Sequence, residues 1–224
     1  MEEAPSFRHI FLVIIALTAI SALLIFFFLK PELTGRVVTR TTVINAQQAS
    51  CNFTLSNGWN LISIPCAPFS EYSVGEFSGL FNISPVSIHT YLASDSSDPW
   101  KAYKSGLPAW VVQDINSISD KNGYWVNMND SGRLDVTSVI NTPRTIAVVA
   151  GWNLVGYPTK NPKRVNESLV TLFPNWRELR YYNSSDSSYY VFYNITQTGD
   201  FTNQTPYSGY WIYMSTSGTW VVSW

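Results

Sequence analysis

The chain repeats itself, and one copy cannot take a fold that the other does not share. Gly58 to Pro65 reads GWNLISIP, and Gly151 to Pro158 reads GWNLVGYP. Further on, Gly123-Tyr124-Trp125-Val126-Asn127-Met128 is answered by Gly209-Tyr210-Trp211-Ile212-Tyr213-Met214. Each is followed at the same spacing by Ser-Gly, at Ser131-Gly132 and Ser217-Gly218. Between these landmarks lie Leu80-Phe81 and Leu172-Phe173, then a Ser/Asp loop at 94–98 and 184–188. Trp100 to Tyr103 then answers Tyr190 to Tyr193. The offset falls from 93 residues at the first landmark to 86 at the second, so short deletions fall in loops of the second copy.

The unit reads mainly as strands. Asn52 to Leu55 leads into GWNLISIP across Ser56-Asn57-Gly58, which is a hairpin signal, and Ile146 to Val149 precedes Gly151 in the same way. Val86 to Leu92 and Leu179 to Tyr182 are aromatic and β-branched runs. YWVNM and YWIYM are short strands opened by Gly. Arg133 to Val136 and Thr219 to Val222 close the units. Val165 to Phe173 carries Val165, Leu169, Leu172 and Phe173 on one helical face, and Ser73 to Phe81 is its counterpart. The expectation is a mainly β body of two tandem modules, each a small sandwich or partly closed barrel with a short helix.

Ahead of the repeat, residues 10–29 read IFLVIIALTAISALLIFFFL, twenty positions without charge, Pro or Gly. A helix of that length spans about 30 Å, the thickness of bilayer hydrocarbon. The run exceeds a secretory h-region and no A-x-A site follows, so an uncleaved anchor is expected. The division is then a cytoplasmic tail over 1–9, an anchor over 10–29, a stalk or linking strand over 30–50, and modules over 51–140 and 141–224. The stretch up to Ser50 is polar and β-branched, and could also pair with a neighbouring molecule.

Charged residues are 13% of the chain, about half the usual quarter, aromatics reach 15%, and the net charge is −1. That balance offers no nucleic-acid footprint. Two His and two Cys exclude a multi-ligand Cys/His metal site and a disulfide-dense miniprotein. Cys51 and Cys66 flank the Asn57-Gly58 turn symmetrically and would face each other in an antiparallel hairpin centred there. A disulfide is expected, worth about 3 kcal/mol in the chain-entropy model. N-x-S/T sequons at Asn52, Asn82, Asn129, Asn166, Asn183, Asn194 and Asn203 are candidate N-glycosylation sites. Sequons and cysteines favour an extracellular body. Lys30, Arg36 and Arg40 after the helix, against Arg8 before it, favour the reverse by the positive-inside rule. The expected location is the cell membrane, single-pass, with the C-terminal domain outside.

The pattern GWNLIS-x-P, an aromatic run, W-x-x-Y, and GYW followed by a hydrophobic residue and Met resembles a β-module of secreted and cell-surface proteins of bacteria and archaea. The match covers about three-quarters of the chain. The resemblance implies a structural or adhesive role with no catalytic residue attached to the motif. With the sequons, it implies an archaeal source. The second copy departs in having Tyr190 where the first has Trp100.

No G-x-S-x-G elbow, phosphate-binding loop, HExxH or CxxC is present, so no enzyme activity, cofactor or metal is expected. His89 is expected at a strand surface or edge. Asp95 to Asp98 and Asp186 read as solvated turns, since their spacing matches no Ca²⁺ loop. The landmark residues Trp59, Trp125, Trp152 and Trp211 are expected in the core. Trp100, Trp110, Tyr182, Tyr189 and Tyr190 lie outside the landmarks or beside loops and are the candidate ligand-binding aromatics. The function expected is that of a membrane-anchored surface protein with a duplicated, non-catalytic, structural or adhesive ectodomain. The partners are the bilayer through residues 10–29 and, beyond it, envelope glycans or surface proteins. The alternatives are a carbohydrate-binding module and a subunit of a membrane-anchored filament or envelope complex.

Overall fold

The computed structural model describes residues 45–223 other than 69, 70 and 109. The expected tail, anchor and most of the stalk lie outside the described residues. The body is mainly β. The first module comprises β1 (Asn45–Leu55), β2 (Gly58–Ile62), β3 (Tyr72–Ser73), helix α1 (Val74–Ser78), β4 (Ser87–Tyr91), β5 (Trp100–Lys104), β6 (Ser117–Ile118), β7 (Tyr124–Met128) and β8 (Gly132–Thr142). The second comprises β9 (Arg144–Val148), β10 (Gly151–Val155), β11 (Lys163–Arg164), helix α2 (Val165–Ser168), β12 (Trp176–Asn183), β13 (Ser188–Tyr193), β14 (Thr198–Gly199), β15 (Asn203–Gln204), β16 (Tyr210–Met214) and β17 (Gly218–Val222). A 3₁₀ turn, Val170–Leu172, follows α2.

The modules share one topology. In the first, a sheet of order β2-β7-β4-β5 faces the two-stranded ribbon β1-β8, and a short β3-β6 pair sits beside α1. In the second, β10-β16-β12-β13 is extended by β14, the ribbon is β9-β17, and the short pair is β11-β15. Each module has its own core. Cys51, Leu55, Leu134 and Val136 of the first ribbon meet Ile88, Val126 and Met128 of its sheet and Phe77 of α1. Ile146, Val148, Trp220 and Val222 meet Leu179, Ile212, Met214 and Leu169 in the second.

Three expectations are corrected. The segments on either side of Gly58 are not hairpin partners, because β1 pairs with β8 and β2 with β7. The reason lies at the corner. Gly58 adopts φ 85°, and the Asn60 side chain folds back on the turn. Asn60 Nδ2 donates to the carbonyls of Ser56 and Gly58, and Oδ1 accepts from the Ser56 amide. This clamp sends the chain from one layer to the other. Gly151, at φ 93°, and Asn153 repeat it on Val149. The Cys51–Cys66 disulfide is formed, with Cα atoms 5.9 Å apart, but it staples ribbon strand β1 to the loop after β2 and does not cross a hairpin. Finally, the first module begins before residue 51 and ends after 140. Asn45 to Ser50 belongs to β1 and pairs with β8 of the same chain, whose last residue is Thr142.

Candidate functional site

The two modules meet around a pseudo-two-fold axis. Ile62 bridges Ser208, and the equivalent Val155 bridges Asn122, both antiparallel. The Ser63 amide donates to the Tyr207 carbonyl at 2.7 Å, and the equivalent Gly156 amide donates to the Lys121 carbonyl at 2.8 Å. Reciprocal contacts of this kind define an isologous interface. The glycines that open the GYW motifs permit it. A Cβ on Gly123 would stand 2.8 Å from Leu154 Cδ1 and 2.9 Å from the Val155 carbonyl oxygen, and one on Gly209 would stand 2.8 Å from the Ile62 carbonyl oxygen. The following tyrosines point inward. Tyr124 and Tyr210 are buried, and their hydroxyls accept from the Ser119 and Thr205 amides at 2.8 and 2.7 Å. Burial raises the pKa of both phenols.

Strand alternation then turns Trp125 and Trp211 outward. In YWVNM, residues 124, 126 and 128 are buried while 125 and 127 are not. Trp59 and Trp152 share that outer face, so the expected placement of these four tryptophans in the core is overturned. Trp59 is 43% exposed, and the other three are half-buried. The reason is phase: Tyr, Val and Met fill the inner positions of the strand and leave the indole no place among them.

On the outer face of each sheet the same constellation is laid down twice. Trp59 and Trp125 lie edge to face at 6.2 Å, and so do Trp152 and Trp211 at 6.2 Å. Tyr91 pairs in register with Trp100, and Tyr182 with Tyr189. Trp100 therefore answers Tyr189, one residue away from the Tyr190 that the sequence alignment selects. These hairpin-tip rings reach across to the other module. Tyr91 lies 5.2 Å and Trp100 5.9 Å from Trp211. Reciprocally, Tyr182 lies 4.9 Å and Tyr189 6.2 Å from Trp125.

The result is an aromatic cleft with two contiguous cavities. One, of about 500 Å³, is lined by Trp59, His89, Trp100, Trp125, Tyr182 and Tyr189. The other, of about 380 Å³, is lined by Tyr91, Trp152, Arg180, Tyr189 and Trp211. Tyr189 belongs to both. Each cavity is lined by one polar side chain, His89 in the first and Arg180 in the second, and each has its hydrogen-bond partner two residues back on its own strand. His89 Nε2 lies 3.1 Å from Ser87 Oγ, and Arg180 Nη2 donates to Glu178 Oε1 at 2.7 Å. Arg180 stands over the Trp152 ring at 4.8 Å, and His89 meets Trp59 edge to face at 5.4 Å. Burial lowers the pKa of His89 below that of a free imidazole, so the ring is neutral at pH 7. Burial raises that of Tyr189, which keeps its hydroxyl proton.

Of the candidate aromatics, Trp100, Tyr182 and Tyr189 line the cleft. Trp110, 83% exposed on the loop after β5, is not among its lining residues. Tyr190 points the other way from Tyr189. It stacks on Tyr181 at 5.2 Å and donates to Asp186. The sequence reading missed Trp59, Tyr91, His89, Trp125, Trp152, Arg180 and Trp211 as site residues. Among the sequons, Asn52, Asn82, Asn129, Asn166 and Asn203 are exposed, and Asn183 sits half-buried at the end of β12. Asn194 is corrected. It is 8% exposed and its Nδ2, the atom that would carry a glycan, donates to the Trp176 carbonyl at 2.7 Å.

Chemically, the cleft offers broad ring faces, and donors and acceptors fixed between them. Contiguous, partly exposed aromatic surface of this kind makes the cleft the candidate binding site. No protein-family profile, characterised protein or solved structure matches the chain.

Proposed function

We propose that the protein is a non-catalytic, membrane-anchored surface protein that binds neutral glycans in the aromatic cleft between its modules. The observation that carries this reading is the Trp pair and hairpin-tip aromatics repeated on each half of the cleft, with a polar side chain, His89 or Arg180, lining each cavity. Sugar rings present apolar C–H faces that pack on indole and phenol rings, and their hydroxyls both donate and accept. His89 and Arg180, which line the cavities and are braced by Ser87 and Glu178, match that need. A proline-rich peptide also docks on aromatic grooves, but its backbone offers mainly acceptors, whereas a sugar hydroxyl serves donor and acceptor groups of the lining alike. Arg180 is already charge-paired with Glu178, which favours an uncharged ligand over an acidic one. Anchoring through residues 10–29 and an outward body are supported by the apolar run, the disulfide and the exposed sequons.

The test is retention of the full-length protein, in detergent, on immobilised neutral polysaccharides. Wild type should be retained, and Trp125→Ala/Trp211→Ala should not. Failure on every neutral polysaccharide, with retention on a proline-rich peptide, defeats the reading. Protease added outside intact cells should cleave the body if the outward placement is right.

A further inference from the structure

The two halves of the cleft are related by a pseudo-two-fold axis, and a linear glycan is not. It has a reducing and a non-reducing end, so a chain crossing the axis meets the second half-site in reversed direction. If the halves bound separate short ligands, nothing would call for them to differ. They do differ, and in a localised way.

Three ring positions are kept: Trp59 and Trp152, Trp125 and Trp211, and Tyr91 and Tyr182 are identical between halves, and the Trp–Trp distances match, while Asn127 is answered by Tyr213, 5.2 Å from Trp152. The polar pairs are not kept. Ser87–His89 is neutral, whereas the equivalent Glu178–Arg180 carries two charges. The bridging ring differs as well, Trp100 in one half and Tyr189 in the other. Moreover, neither half is complete alone. Each Trp pair is closed by the other module's hairpin tip, and Tyr189 lines both cavities.

We infer that the cleft takes one oligosaccharide chain across the module boundary, and that His89 in one cavity and Arg180 in the other, braced by Ser87 and Glu178, fix the direction in which it lies. This rests on the glycan reading of the cleft. The common aromatic surface grips a sugar ring whichever way it faces. The differing hydroxyl partners then accept only one end of the chain in each half. Joining two weakly gripped segments on one ligand makes the second contact intramolecular, so affinity rises steeply once the chain reaches both halves.

Calorimetry with the full-length protein in detergent tests this, using neutral oligosaccharides of two to six sugars cut from the polysaccharide that retains the protein. One chain per protein is expected, with affinity rising at least about tenfold at the length that spans both halves. Direction is read by a spin label on the reducing end of the longest chain. It should broaden the indole proton signals of one Trp pair only, Trp59 with Trp125 or Trp152 with Trp211. In Glu178→Ser/Arg180→His, which makes the polar pairs alike, it should broaden both pairs equally. Two chains per wild-type protein at every length, or equal broadening of both pairs in wild type, overturns the inference and leaves the glycan reading standing. No heat and no broadening with any length overturns both.

Discussion

Arg144 of the second module and Asp120 of the first form a buried ion pair, Nε to Oδ2 2.5 Å, with each side chain only 4% exposed. Arg144 occupies in β9 the place that Cys51 occupies in β1. Where the first module staples its ribbon with a disulfide, the second ties its ribbon to the neighbouring module. Removing one partner leaves a buried charge. Arg144→Met should therefore cost about 3–5 kcal/mol in chemical denaturation. The double replacement Asp120→Leu/Arg144→Met should cost far less than that. Equal losses in single and double variants would show that the pair does not act as a unit.

Gly156 is held where no side chain fits. A Cβ there would fall on the Asp120 carbonyl oxygen and stand 2.8 Å from that of Asn122. Gly156→Ala should cost about 1–3 kcal/mol. It should also weaken ligand binding, because the hairpin tips would no longer seat on the opposite Trp. Gly75→Ala, where a Cβ meets nothing within 4 Å, is the control. Unchanged stability and binding in Gly156→Ala would contradict the close mating of the modules.

The disulfide closes a sequence separation of 15 residues. Cys51→Ala/Cys66→Ala should lower stability by about 3 kcal/mol, measured by denaturant midpoint. Ligand affinity should hold at conditions where the variant remains folded, since neither cysteine is among the cleft's lining residues.

His89 gives the cleft a pH dependence of known sign. Its folded pKa lies below the ordinary value of about 6.5, so the unfolded chain takes up that proton first as pH falls. The stability associated with neutral His89 is complete above about pH 6.5. It declines as pH drops through that value and levels off below the folded pKa. Chemical denaturation between pH 7.5 and 5.5 should show the slope in wild type and a smaller one in His89→Gln. Identical slopes would remove His89 from the account.

The fold was legible because the repeat displays its own grammar. The paired GWN and GYW landmarks mark equivalent strand starts in the two copies, and the strand and helix segments follow from periodicity. Pairing partners were not legible. Asn57-Gly58 looks like a hairpin turn, and only the fold-back of Asn60 reveals a change of layer. The site was half-legible. Loop aromatics such as Trp100 and Tyr189 stood out, but a Trp inside a strand can face either way. One signal was available: in YWVNM, Asn127 shares the phase of Trp125, which points that phase to solvent. No comparable cue exists in GWNLI, where Asn60 is buried with the apolar residues. The meeting of Tyr182 with Trp125 depends on the axis between modules, which no local pattern encodes.

The most direct measurement is the indole proton spectrum of the protein titrated with the oligosaccharide it retains. Trp59, Trp100, Trp125, Trp152 and Trp211 should shift on saturation, while Trp176 and Trp220, buried in the second core, hold still. Shifts confined to Trp110, or binding that leaves the five cleft indoles unmoved, would contradict the account.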